Sequence, residues 1–159
     1  MKTFVVLALV IALALGLFAC GKQEPEETKR VTLYLPDHDA IDAGGYGFTK
    51  KALDLHMPKL VSLQAMDLVA NLVHEGALPE GCAALTFYVS ISTLDMNAAF
   101  ADALSRTGTL GETLLLGCLV NTILDFFALD SITIMAEGEV LQTGHEIYDY
   151  PLTFYENQN

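Results

Sequence analysis

The chain predicts an α/β (α+β) domain: a small mixed sheet of three to four strands with two helices packed on one of its faces. Three observations predict it. Runs of β-branched and aromatic residues at 31–35 (VTLYL) and 84–93 (ALTFYVSIST) read as strands. Two apolar stretches, 58–75 and 110–127, have the length and spacing of helices. Their order along the chain is strand, strand, helix, strand, short helix, helix, strand, which suits a sheet covered on one side.

The domain is preceded by a segment of another kind. Met1 and Lys2 carry one positive charge, and Phe4 to Phe18 contains no charged side chain. That run is shorter than the roughly 20 residues of a spanning helix, and it ends in the manner of a cleaved signal. Leu17-Phe18-Ala19-Cys20 resembles the lipobox of bacterial lipoproteins, with Phe18 bulkier than the residue usual there. Residues 1–19 are therefore expected to be a lipoprotein signal peptide. Cys20 is the expected lipidation site and the new N-terminus, held on the outer face of a membrane by its acyl chains. Residues 20–30 follow as lipidated cysteine and flexible tether, because GKQEPEETKR has no apolar anchor. Residues 31–159 form a single domain.

From Val31 to Leu35 the strand is bounded by charge before it and by Pro36-Asp37 after it. Residues 37–47, DHDAIDAGGYG, read as an acidic, Gly-rich loop. Phe48 to Leu55 is a second strand of weaker alternation. In the first long helix Leu60, Leu63, Met66, Val69 or Ala70, and Val73 recur at helical spacing, while Gln64, Asp67, Asn71 and His74 share the other face. Pro58 suits its first position and Gly76 its stop. Ala84 to Thr93 is read as one strand, and a short helix falls within 94–104. Thr109-Leu110-Gly111-Glu112 has the spacing of a capping box. The helix it opens is apolar almost all round and is expected to lie buried. Ile132 to Met135 and Glu139 to Leu141 flank a turn at Glu137-Gly138.

Composition restricts the partners. Twenty acids against eight Lys and Arg give a formal charge of −12, and removing residues 1–19 takes away Lys2 and no acid, so the remainder carries −13. Nucleic acid is excluded as a partner, since neutralising phosphates needs cations this chain lacks. The same charge disfavours a second, electrostatic contact with anionic lipid, so the lipid is the expected membrane link. Cys82 and Cys118 remain after the signal, and whether they are paired or are buried thiols is open at this level.

Several segments together resemble the GerMN domain of sporulation and spore-germination proteins and of many bacterial lipoproteins. They are VTLYLPD at 31–37, the apolar helix ending at Gly76, LPEG at 78–81, LDMNAAFADAL at 94–104, GETLLLGCLVNTILDFFALDSITIMAEGE at 111–139 and TGHEIYDYPL at 143–152. The resemblance spans Val31 to Leu152. Its motifs are short, so its specificity lies in their order and spacing. The acidic loop at 37–47 departs from the pattern, the stretch between Gly76 and Pro79 looks shortened, and this chain has length for one domain where members often carry two. The resemblance implies a small α/β domain similar to ring-building modules of membrane-spanning assemblies, a binding role in the cell envelope, and no catalytic residues.

Side-chain chemistry adds no competing signal. His38, flanked by Asp37 and Asp39, lies in the acidic loop; with His56, His74 and His145 it fits no metal-ligand spacing. No serine stands in a nucleophile motif, and the Gly44-Gly45-Tyr46-Gly47 cluster lacks the helix and Lys of a phosphate loop. No cofactor, metal site or catalytic residue is expected. The expected function is that of a lipid-anchored, non-catalytic envelope protein that binds another envelope protein or its own copies, linked to sporulation or germination. A sheet face or strand edge is its natural surface. The alternative is a lipoprotein that binds a small ligand or the cell wall.

Overall fold

The computed structural model describes residues 27–158. It opens with a long two-stranded ribbon. Strand β1, Glu27–Pro36, pairs antiparallel with β2, Phe48–Met57, in unbroken register from Glu27 opposite Met57 to Pro36 opposite Phe48. Both strands outrun their sequence-derived limits. Residues 27–30, expected as the end of the tether, are strand, because each finds a cross-strand partner that local composition does not reveal. The 37–47 segment is not wholly loop. Asp37 Oδ1 accepts the amides of Asp39 and Ala40, at 3.1 and 3.3 Å, and caps a short helix α1, His38–Asp42. Beyond it Gly45 cannot be replaced cheaply, since a Cβ there would stand 2.4 Å from the Gln158 carbonyl oxygen. That close approach is the Tyr46–Gln158 bridge, which ties the chain end to the ribbon.

Helix α2, Val61–His74, starts later than expected. Leu60 occupies its N-cap and Pro58 lies outside the helix. Gln64, read as part of the polar face, is buried, and its amide donates to the Pro58 carbonyl at 2.6 Å. The buried stripe is Ala65, Leu68, Val69 and Leu72, rotated away from the one expected. Two overlapping apolar registers exist in this sequence, and packing buries one of them. Leu60 and Leu63, of the other, are 65% and 40% exposed. Gly76, at φ +75°, ends the helix as expected, with the Gly76 and Ala77 amides returning to the carbonyls of Val73 and Leu72.

The 84–93 segment is two strands. Strand β3, Ala84–Tyr88, breaks at a 3₁₀ turn, Val89–Ile91, and Ser92 in the left-handed region at φ +46° reverses the chain into β4, Thr93–Met96. Helices α3, Ala98–Ser105, and α4, Thr109–Phe127, then cross over to β5, Thr133–Ala136, which pairs parallel with β4. A two-residue turn at Glu137-Gly138, both at positive φ, leads to β6, Glu139–Gln142. Strand β7, Ile147–Tyr148, closes the sheet, whose order is β3-β4-β5-β6-β7.

The class is α+β as predicted, but the strands divide into sheets of two and five. The reason lies in α4, which packs against β1 and occupies its free edge. Thr122 Oγ1 accepts the Tyr34 amide at 3.0 Å, so β1 cannot extend the larger sheet on that side. Helix α4 is long and apolar enough to cross a membrane, but it is the core helix: Leu116 to Leu124 are all buried. Gly117 lets the Phe48 ring sit against its backbone, where a Cβ would stand 2.1 Å from Cζ. Asn121, one of the few polar residues of this helix, binds the amide and carbonyl of Tyr155 at 2.8 and 2.9 Å. It thereby straps the C-terminal segment down.

Candidate functional site

At the N-terminal end of α4 the sequence places Glu112 with the spacing of a capping box, but it does not cap. Gly108 is the N-cap, no side chain caps the helix, and Glu112 has turned inward to 3% exposure. Its spacing of four from Leu116 puts it on the buried face, a signal the sequence did contain. The partners come from the segment around β7. Tyr148 donates its hydroxyl to Oε2 at 3.2 Å, and His145 Nδ1 lies 3.1 Å from Oε1. The Thr143 hydroxyl accepts the amides of His145 and Glu146, at 3.1 and 3.2 Å, and shapes the turn that presents the imidazole.

Burial alone would push the Glu112 carboxyl upward; its hydrogen bonds with Thr143, His145 and Tyr148 outweigh that, so it titrates below the ordinary carboxylate value. The Tyr148 phenol is raised by burial and by the Glu112 carboxylate. The His145 side chain is about half exposed, and Nδ1 is the ring nitrogen turned toward the Glu112 carboxylate.

These groups wall a recess of about 330 Å³, completed by Tyr150, Tyr155 and Thr113. Burial, with the neighbouring Tyr150 and Tyr46 phenols, pushes Tyr155 up to about 12. A second recess of about 300 Å³ shares Tyr150 and Tyr155 and adds Tyr46. The result is an aromatic, hydrogen-bonding rim around an oriented imidazole. A Glu–His pair can position a base, and the lining hydroxyl of Thr113 donates to the Thr109 carbonyl at 3.0 Å.

The other residues singled out in the sequence do not converge here. Cys20 lies outside the described residues. His38 sits on α1, His56 on the exposed side of β2 and His74 at the end of α2. Among the described residues no group of three or more His, Cys, Asp or Glu is arranged to hold a metal. Cys82 and Cys118 are buried free thiols, which settles the question left open by the sequence. Burial raises both, Cys118 to about 12. Of the four histidines His145 alone joins the recess.

None of the protein-family profiles matches the chain, and no curated protein matches it. Solved structures do. The tandem GerMN domains of the sporulation protein GerM from Bacillus subtilis superpose with a TM-score of 0.58 and 18% identity, over 80% of this chain and 46% of that one. This chain thus spans about half the length of that structure. A Clostridium perfringens protein described as a lipoprotein aligns over 83% of this chain and 93% of its own, at 12% identity and a TM-score of 0.43. The chain has a GerMN-like fold.

Proposed function

We propose, from this GerMN-like fold, that the protein is a lipid-anchored, non-catalytic module of the bacterial cell envelope that binds another envelope protein or further copies of itself. The single observation carrying the reading is the superposition on domains of a sporulation protein. The lipobox-like segment ending at Cys20 supports the anchoring. A role in sporulation or germination is the finer form of the same proposal.

In-cell cross-linking of the tagged full chain, followed by mass spectrometry, tests it. One reproducible envelope protein, lost when residues 27–159 are deleted but the tether kept, is the expected result. Recovery of the protein's own copies would select the homomeric form. Recovery of nothing would count against the reading. The anchor is tested apart from the partner: Cys20→Ala is expected to abolish labelling by palmitate and to release the protein from the membrane fraction.

The Glu112–His145–tyrosine recess favours a second reading, a lipoprotein that binds a small ligand or a cell-wall fragment. A thermal shift with muropeptides that is lost in His145→Ala would support it. A flat response across wall fragments would remove it.

A further inference from the structure

We infer that the β1-start end of the domain rests on the phospholipid bilayer through an apolar surface of its own. The inference rests on the lipid-anchored reading above and adds an orientation to it. The observation is the convergence of exposed apolar side chains from two places, the start of α2 and the turn after β3, around the half-buried Phe126 and Phe127 rings at the end of α4. Glu27 opposite Met57 brings the beginning of β1 beside the stretch that leads into α2, where Leu60 is 65% and Val61 36% exposed. Val61 lines one cleft with Lys29 and Phe126. Phe127 packs against Phe87, the rings tilted by 38° with centroids 4.8 Å apart, which brings the end of β3 to the same place. The turn beyond it exposes Tyr88, Val89 and Ile91, the last at 67%. Isolated surface apolar residues are ordinary, but a group of them at one end marks a contact surface.

The chain outside the described residues says what covers it. Six residues, 21–26, lie between Cys20 and Glu27, and the seven Cα-to-Cα steps reach at most about 25 Å. The ribbon that begins at Glu27 has ten residues per strand and is roughly 33 Å long. The chain therefore keeps the near end within about 25 Å of the anchor, while the far end, with α1 and the acidic segment, can stand farther from it. The near end carries both signs of charge, with Glu27, Asp54 and Asp125 beside two cations. Lys29 and Arg30 stand at the near end, with Lys29 Nζ 5.7 Å over the Phe126 ring and Arg30 3.6 Å from Asp54. Asp37, Asp39 and Asp42 stand at the far end. Long cationic side chains and tyrosine suit the headgroup layer, and aliphatic side chains suit the region just beneath it. The contact is mainly apolar, so the net charge of the chain does not forbid it.

Spin labels decide the matter on the full lipidated protein reconstituted in phosphatidylcholine–phosphatidylglycerol vesicles. Single cysteines replace Ile91, Leu60 or, as the far-end control, Asp42; all three positions are on the surface, so folding is not at stake. Cys82 and Cys118 are 6% and 0% exposed and resist labelling, and a lipidated Cys20 has no free thiol. Labels at 91 and 60 are expected to collide severalfold more with oxygen relative to an aqueous nickel complex than the label at 42. Equal, water-like accessibility at all three would overturn the docking while leaving the anchor intact. Shielding of 91 and 60 from both reagents would overturn it in favour of contact with another copy. Failure of the protein to float with the vesicles, together with an unmodified N-terminal peptide mass, would remove the anchor and this proposal with it.

Discussion

Glu112 shows how one residue type supports two incompatible local roles. With Thr109 it has capping-box spacing, and in the fold it is a buried carboxylate held by His145 and Tyr148. Because its pKa is depressed below the ordinary value, the stability it contributes is complete above that ordinary value and is lost as pH falls through the lowered one. Glu112→Gln is expected to cost about 1–3 kcal/mol at pH 7, as for a buried hydrogen-bonded charge. The difference from wild type should shrink in acid, and urea titrations at pH 7 and pH 3 would check both. The thiols permit a prediction of the opposite kind. Cys118 has no exposure and a thiol pushed up to about 12, so alkylating reagents should modify neither it nor Cys82 in the native state. In denaturant both should react, with or without reductant, as mass spectrometry would show.

At the scale of elements, α4 is the clearest case of a helix designed for its neighbours. Gly117 ordinarily weakens a helix by about 1 kcal/mol relative to Ala. Here the Phe48 ring occupies the space a Cβ would need. Gly117→Ala should therefore destabilise the protein by about 1–3 kcal/mol, in the range of overpacked cores, although it improves helix propensity. Phe48→Leu in the same chain should recover part of the loss, measurable as a shift in denaturation midpoint. Helix α2 makes the complementary point. Its sequence allows two apolar faces, and only the packing of Ala65, Leu68, Val69 and Leu72 decides which is inside.

The whole molecule is held together by its last residues as much as by its sheets. Tyr155 is bound to Asn121, Phe154 packs edge-on to Tyr34 at 5.3 Å, Asn157 accepts the Phe48 amide at 2.9 Å and Gln158 bridges Tyr46. Removing residues 153–159 should therefore lower the urea midpoint of the entire domain in one transition. A separate early loss of the ribbon, seen as a second transition by hydrogen exchange, would show that the strap is local. The same molecule has two distinct ends, with the start of β1 and the end of α4 at one and the tyrosine-rimmed recess at the other. A module bound to the membrane by the first would present the second outward.

Much of this was determined by the chain alone. The β-branched runs, the buried helix ending at Phe127, the stop at Gly76 and the turn at Glu137-Gly138 follow from local chemistry, and so does the expectation of lipid at Cys20, which rests on a short linear signal. The tertiary structure decided the rest. Strand 84–93 was divided in two because Ser92 could adopt positive φ with Thr133 donating its amide to the Ser92 carbonyl. The expected single sheet is two, and Thr122 of α4 takes the Tyr34 amide of β1 that a neighbouring strand would otherwise bind. Glu112 left its cap for partners 33 and 36 residues away. Local preferences differ by about 1 kcal/mol or less. A satisfied buried polar group or a filled core position outweighs them, and such partners are distant in sequence and adjacent only once the chain has folded.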